Sequence, residues 1–115
     1  MRVTRFAEAP LYVAPLHHDV RASRLQGHEA GPTGRFWVGI SDYPPGGHAE
    51  QAPTREETVY VVLDGEIAVT ADGREEVLGR HDSVHLPKGE VRAVHNRGTT
   101  PATMLVVIAH PEEPA

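Results

Sequence analysis

The sequence predicts a single all-β domain, a sandwich or barrel of short strands. Three observations predict it. Segments rich in β-branched and aromatic residues recur along the chain, with turn signals at intervals of about 8–12 residues. The 115 residues include 11 glycines and 10 prolines, which interrupt the chain too often for long helices. A hydrophobic content of 39% over this length suits one core and leaves no room for two.

Residues 1–34 read as an irregular segment, broken by Pro10, Pro15, Gly27, Gly31, Pro32 and Gly34. Within it, an early strand is expected at 11–14, followed by a looped stretch carrying His17, His18 and His28. The barrel core is expected over about 35–110, within one domain spanning 1–115. Residues 35–43 (RFWVGISDY) form a strand ended by the turn Pro44-Pro45-Gly46-Gly47. Residues 58–63 (TVYVVL) are the strongest strand signal, and Asp64-Gly65 marks a hairpin turn. Strands at 66–70 and 75–78 pair across Ala71-Asp72-Gly73. Residues 83–86 lead into Pro87-Lys88-Gly89, residues 91–95 follow, and 102–109 (ATMLVVIA) form a buried last strand. The tail HPEEPA is expected to fray.

The formal net charge of −5, with arginines scattered, gives no basic footprint for nucleic acid. No segment reaches the roughly 20 apolar residues of a membrane span, and MRVTRFAEAP holds no apolar run of signal-peptide length. A cytoplasmic protein is the resulting expectation. The absence of cysteine excludes disulfides, thiolate chemistry and Cys-based zinc sites. Ser23, Ser41 and Ser83 lack a nucleophile-elbow setting, and Gly46-Gly47 is no phosphate loop.

Gly79, Pro87, Gly89 and Asn96 stand in a glycine–proline–glycine–asparagine frame, with one or two extra residues after Gly79. Upstream, Pro44-Pro45-Gly46-Gly47 opens a second frame that Val59–Glu66 closes. The region from Pro44 to Gly98, about half the chain, resembles the two motifs of the cupin family. The resemblance implies a cupin-type jelly-roll β-barrel, often a homodimer, that takes a small molecule in the barrel. It also implies where a metal would be held. The paired histidines of the first motif fall at Ala52 and Thr54, and the third histidine at Arg92. The glutamate falls on Thr58 or, with a one-residue shift in register, on Glu57.

These replacements count against the usual metal. A transition-metal ion needs three or four N or O donors at about 2.0–2.2 Å. Ala52 offers none, Thr54 a poor one, and Arg92 a permanent positive charge. No metal and no other cofactor is therefore expected. If the registers match, Glu57 and Arg92 point into the pocket and pair there. Arg92 would then hold a carboxylate or enolate oxygen and Glu57 would accept a proton, with His85 or Tyr60 assisting. Trp37, Ala52, Thr54 and Thr58 would line the substrate site. His95 is expected on the face opposite Arg92, and His17-His18-Asp19 in a polar loop.

The expected activity is metal-independent proton transfer on a small carbonyl compound: isomerisation, cyclisation or dehydration. Small cupins that this chain resembles include polyketide cyclases and sugar isomerases. Two alternatives stay open. One is a non-catalytic binding module that uses Arg92 as an anion anchor. The other is a metalloenzyme with ligands relocated to His48, Glu50, Glu57 and His85.

Overall fold

In the computed structural model, which describes residues 1–112, the chain is a β-barrel of two antiparallel sheets. The strands are β1 (Leu11–Tyr12), β2 (His17–His18), β3 (Arg21–Gln26), β4 (Phe36–Tyr43), β5 (His48–Pro53) and β6 (Thr58–Asp64). They continue with β7 (Ile67–Ala71), β8 (Arg74–Leu78), β9 (Ser83–Leu86), β10 (Val91–His95) and β11 (Ala102–Ala109). One sheet runs β1-β3-β4-β11-β6-β9 and the other β2-β5-β10-β7-β8. Two single turns of 3-10 helix, Phe6–Glu8 and His28–Ala30, are the only helical pieces among the described residues. No helix among them is long and apolar enough to cross a membrane. Residues 113–115, the end of the tail expected to fray, lie outside the described residues.

The strong strand signals of the sequence became strands within about one residue. β11 is the central member of its sheet, paired with β4 over its whole length and with β6 on its other side. Alternation places Ala102, Met104 and Val106 inside, together with Val62 and Leu86 of the same sheet and against Ile67 and Val94 of the facing one. The N-terminal third departs from expectation. The predicted strand at 11–14 shortens to two residues, His17 and His18 pair with β5 instead of looping, and RASRLQ makes the six-residue β3. Neither RASRLQ nor HAEQAP, which forms β5, carries apolar alternation. Their extended shape comes from pairing with β4 and β10, a tertiary effect that overrides propensity.

Two devices fix the barrel ends. Gly65, at φ +75°, turns β6 into β7 so close to the neighbouring loop that a Cβ there would meet the Pro101 carbonyl oxygen at 2.5 Å. Asn96, 1% exposed, donates from Nδ2 to the carbonyls of Tyr43 and Thr100, each at 2.9 Å. Its Oδ1 accepts from the Gly98 amide at 2.9 Å, and its backbone exchanges bonds with Gly46 and Gly47. One side chain thus ties the turn after β4 to the turn after β10. Removing it orphans two carbonyls and an amide in a confined space. Asn96→Ala is expected to lower unfolding free energy by about 2–4 kcal/mol, read from urea denaturation followed by circular dichroism.

Candidate functional site

Alternation along β6 sets the site. Thr58 is 3% exposed, and with Tyr60 and Val62 it faces the barrel interior. Its neighbour Glu57 must therefore face outward. The position left open between Glu57 and Thr58 is resolved in favour of Thr58. Glu57 is 63% exposed and accepts a hydrogen bond at 2.6 Å from His85, itself 55% exposed. The expected Glu57–Arg92 pair does not form, and neither Glu57 nor His85 lines the cavity.

The cavity, of about 420 Å³, opens between the sheets on the side of the β5–β6 turn. Trp37, Ala52, Thr54, Thr58, Tyr60 and Arg92, all expected in the pocket, line it together. Arg92 pairs directly with Ala52 across the β5–β10 ladder. Beyond that pair the register slips, so that Glu50 and Gln51 oppose the single residue Ala93. The bulge carbonyl of Glu50 accepts from Arg92 Nη1 at 3.0 Å, and the Tyr60 hydroxyl accepts from Nε at 3.1 Å. The guanidinium is thereby fixed across the cavity wall. Thr54 Oγ1 donates to the Pro87 carbonyl at 2.7 Å and Thr58 Oγ1 to that of Glu56 at 2.9 Å.

The sequence reading missed several lining residues. Glu56, whose side chain is 17% exposed, is the one carboxylate among the described lining residues, and Lys88 Nζ stands 3.6 Å from it. His17 lies in the cavity wall and donates from Nδ1 to the Pro15 carbonyl at 2.8 Å, which leaves Nε2 as the acceptor of the neutral ring. Burial, with help from Arg92, holds its pKa below the ordinary imidazole value. On the opposite wall Arg24 lies over the rings of Tyr12 and Trp37, with His28 and His110 beside them. Burial raises the pKa values of the Tyr12 and Tyr43 phenols, so both remain protonated. No local motif announces these residues: Arg24 sits on a strand without apolar alternation, and Glu56 lies just ahead of the two positions, 57 and 58, to which the family's glutamate aligns.

The residues where a cupin metal would sit do not fit one. Ala52 carries no donor atom, the hydroxyl hydrogens of Thr54 and Thr58 point to carbonyls, and Arg92 brings a fixed cation. Among the described residues no group of three or more His, Cys, Asp or Glu is arranged to hold a metal ion. The relocated set is also dispersed. His48 and Glu50 lie on the outer face of the β2-β5-β10 sheet, where Glu50 pairs with His18 at 2.7 Å. There His48 stacks between His18 and His95, at 4.8 Å from each. Glu57 and His85 sit on the other sheet's side of the molecule. A second hollow, at the opposite end of β6, is lined by loop residues from Gly65–Glu66 and Asn96–Thr100 and bears only Glu66 and Arg97 as charged groups.

The match to known proteins agrees with this architecture. Residues 39–108 match the family described as "Cupin domain". The chain belongs to the cupin family. A curated relative from Mycobacterium tuberculosis, named beta-D-galactosidase, is 66% identical over 111 residues, covering 96% of each chain. The polyketide cyclase RemF from Streptomyces resistomycificus superposes with a TM-score of 0.84 over 99% of this chain and 82% of that one, at 19% identity. A predicted oxalate decarboxylase from Thermotoga maritima gives 0.78 over 96% and 100%, at 22% identity. Likeness at those identities concerns the jelly-roll fold alone.

Two outcomes follow from this geometry. Burial depresses the pKa values of His17, His28 and His95, so the folded chain resists protonation at all three. The unfolded chain takes up protons first as pH falls through about 6.5, and stability, full above that value, declines below it. Melting temperature is expected to drop between pH 7.5 and pH 5.5, and to drop less in His17→Gln. Elemental mass spectrometry after dialysis against Fe, Mn, Zn or Ni is expected to find well under one metal per chain. Chelation with EDTA is expected to leave the melting curve unmoved.

Proposed function

We propose that this cupin cleaves β-D-galactosides in its barrel cavity. What carries the reading is the 66% identity, over nearly the whole of both chains, to the relative named beta-D-galactosidase. The cavity supports it. Its volume lies in the range of small-molecule sites, about 300–1,000 Å³. Its walls offer the hydroxyls of Thr54, Thr58 and Tyr60, and the Arg92 fork, to sugar hydroxyls.

Glu56 is the group to which proton transfer falls. Water adds to the anomeric carbon as the glycosidic C–O bond breaks, and the departing oxygen gains a proton. Most glycosidases divide these duties between two carboxylates. Here one carboxylate is present among the described lining residues, so the second duty passes to a non-carboxylate. Tyr60, whose oxygen already accepts from Arg92, and neutral His17 are the groups on hand.

A second reading is favoured by the two guanidinium groups in the walls. Arg24 and Arg92 oppose the positive charge of an oxocarbenium-like transition state and favour an enolate. Proton transfer on a small carbonyl compound, by isomerisation, cyclisation or dehydration, fits that charge pattern with Glu56 as the base.

The experiment is hydrolysis of p-nitrophenyl β-D-galactoside by the wild type, Glu56→Gln and Glu57→Gln. Hydrolysis is expected, with kcat lower by about 10²–10⁴ in Glu56→Gln and near the wild-type value in Glu57→Gln. No hydrolysis by the wild type overturns the galactosidase reading. Deuterium uptake next to a carbonyl, followed by NMR with candidate substrates, then tests the second.

A further inference from the structure

Arg24 is the cavity residue whose chemistry the proposed reaction leaves unused. Its guanidinium carbon lies 3.6 Å from the centre of the Tyr12 ring and 4.1 Å from that of Trp37. The two rings meet edge to face at 5.7 Å, so the planar group is held against a rigid aromatic corner. Nε donates to Glu29 Oε2 at 3.0 Å. A guanidinium has five N–H donors. The four on Nη1 and Nη2 have no partner among the described residues, although the side chain is only 14% exposed. No fully buried side-chain N or O among the described residues lacks a partner, so Nη1 and Nη2 keep access to solvent, and Arg24 is one of the residues that line the cavity. Arginine–carboxylate pairs are frequently bidentate, as Arg97 is toward Glu75 Oε1 through two N–H groups. On Arg24, instead, Glu29 occupies one position and the terminal fork is left free.

The setting favours an anion at that fork. The whole chain carries a net charge of −5, yet Arg24, Arg55 and Arg92 line the cavity against the single carboxylate Glu56. Charge of one sign gathered in a concave, weakly polarisable wall draws the opposite charge into it. Glu29, on Nε, offsets part of the Arg24 charge and leaves Nη1 and Nη2 free.

We propose that the sugar bound in this cavity is acidic, a uronic acid, and that the Arg24 fork receives its carboxylate. This rests on the carbohydrate reading of the site. It narrows that reading from galactosides in general to those bearing a carboxyl group, with Arg24 as the specificity-determining residue.

Isothermal titration calorimetry with D-galacturonate and D-galactose as probes tests it on the wild type, Arg24→Met and Arg24→Lys. The wild type is expected to bind galacturonate about tenfold or more tightly than galactose. That preference is expected to shrink as NaCl rises from about 0.05 to 0.5 M. Arg24→Met is expected to lose the preference, read as the ratio of the two affinities, and Arg24→Lys, with charge but no fork, to keep part of it. Circular-dichroism melting checks that the variants fold. If Arg24→Met does not fold, the sugar preference and salt dependence of the wild type decide alone. Equal or tighter binding of galactose, or binding of neither sugar, overturns the proposal. So does a preference that survives Arg24→Met. Hydrolysis of the neutral p-nitrophenyl galactoside is read separately, so loss of the acid preference with turnover intact leaves the galactosidase reading standing.

Discussion

A guanidinium inside a β-barrel has to find acceptors for its N–H groups, because an unpaired charge away from water is costly. Arg92 finds them in the Tyr60 hydroxyl and in the Glu50 carbonyl. The second acceptor exists because β5 carries one residue more than β10 between Ala49 and Ala52, which leaves a backbone carbonyl turned out of the ladder. From this arrangement much of the site follows. The cation occupies ground where a metal's ligands would converge. It contributes, after burial, to keeping His17 neutral. It also fixes the tyrosine oxygen at a defined place in the wall.

Strand alternation carries the rest. β6 places Thr58, Tyr60 and Val62 inside, and β11 answers with Met104 and Val106. A one-residue shift of β6 would exchange every inward and outward side chain and bring Glu57 to the cavity in place of Thr58. The shift is prevented from both sides, since β6 pairs in unbroken register over 58–61 with β9 and over 58–62 with β11, and the Glu57 carbonyl accepts from the Ala109 amide at the end of that pairing. Glu57 and His85 then become a solvent-exposed pair of the kind worth at most about 1 kcal/mol.

The sequence disclosed the barrel where side-chain type and local geometry coincide. TVYVVL and ATMLVVIA could bury one face only as strands, and Asp64-Gly65 could only turn. The Gly79, Pro87, Gly89 and Asn96 frame located Arg92 in the wall, because the turn chemistry and the buried Asn96 amide fix the chain on either side of it. What stayed illegible depended on partners distant in sequence. RASRLQ becomes a strand by lying beside β4, and Arg24 reaches the cavity only once Tyr12 and Trp37 form the corner beneath it. The choice between Glu57 and Thr58 was a single step of a two-residue period. No reading of types along the chain decides such a step, whereas the pairing of Thr58 with Leu86 and Ile108 does.

The rim of the cavity is built differently from its walls. Residues Val13 to Leu16 border the opening, the β2 strand that follows them contributes only two pairings to the sheet, and Val13 is almost wholly solvent-exposed. Leu16 and Asp19 take left-handed backbone conformations, at φ 60° and 61°, that few contacts reward. The barrel's cohesion resides in β4, β6, β10 and β11 and owes little to this border. A molecule so arranged can exchange side chains, lengths or even conformations around its mouth while the chemistry inside is held still. The outer edge of the mouth and the folding core are thereby written in separate parts of one short chain, and the first can drift over generations without endangering the second.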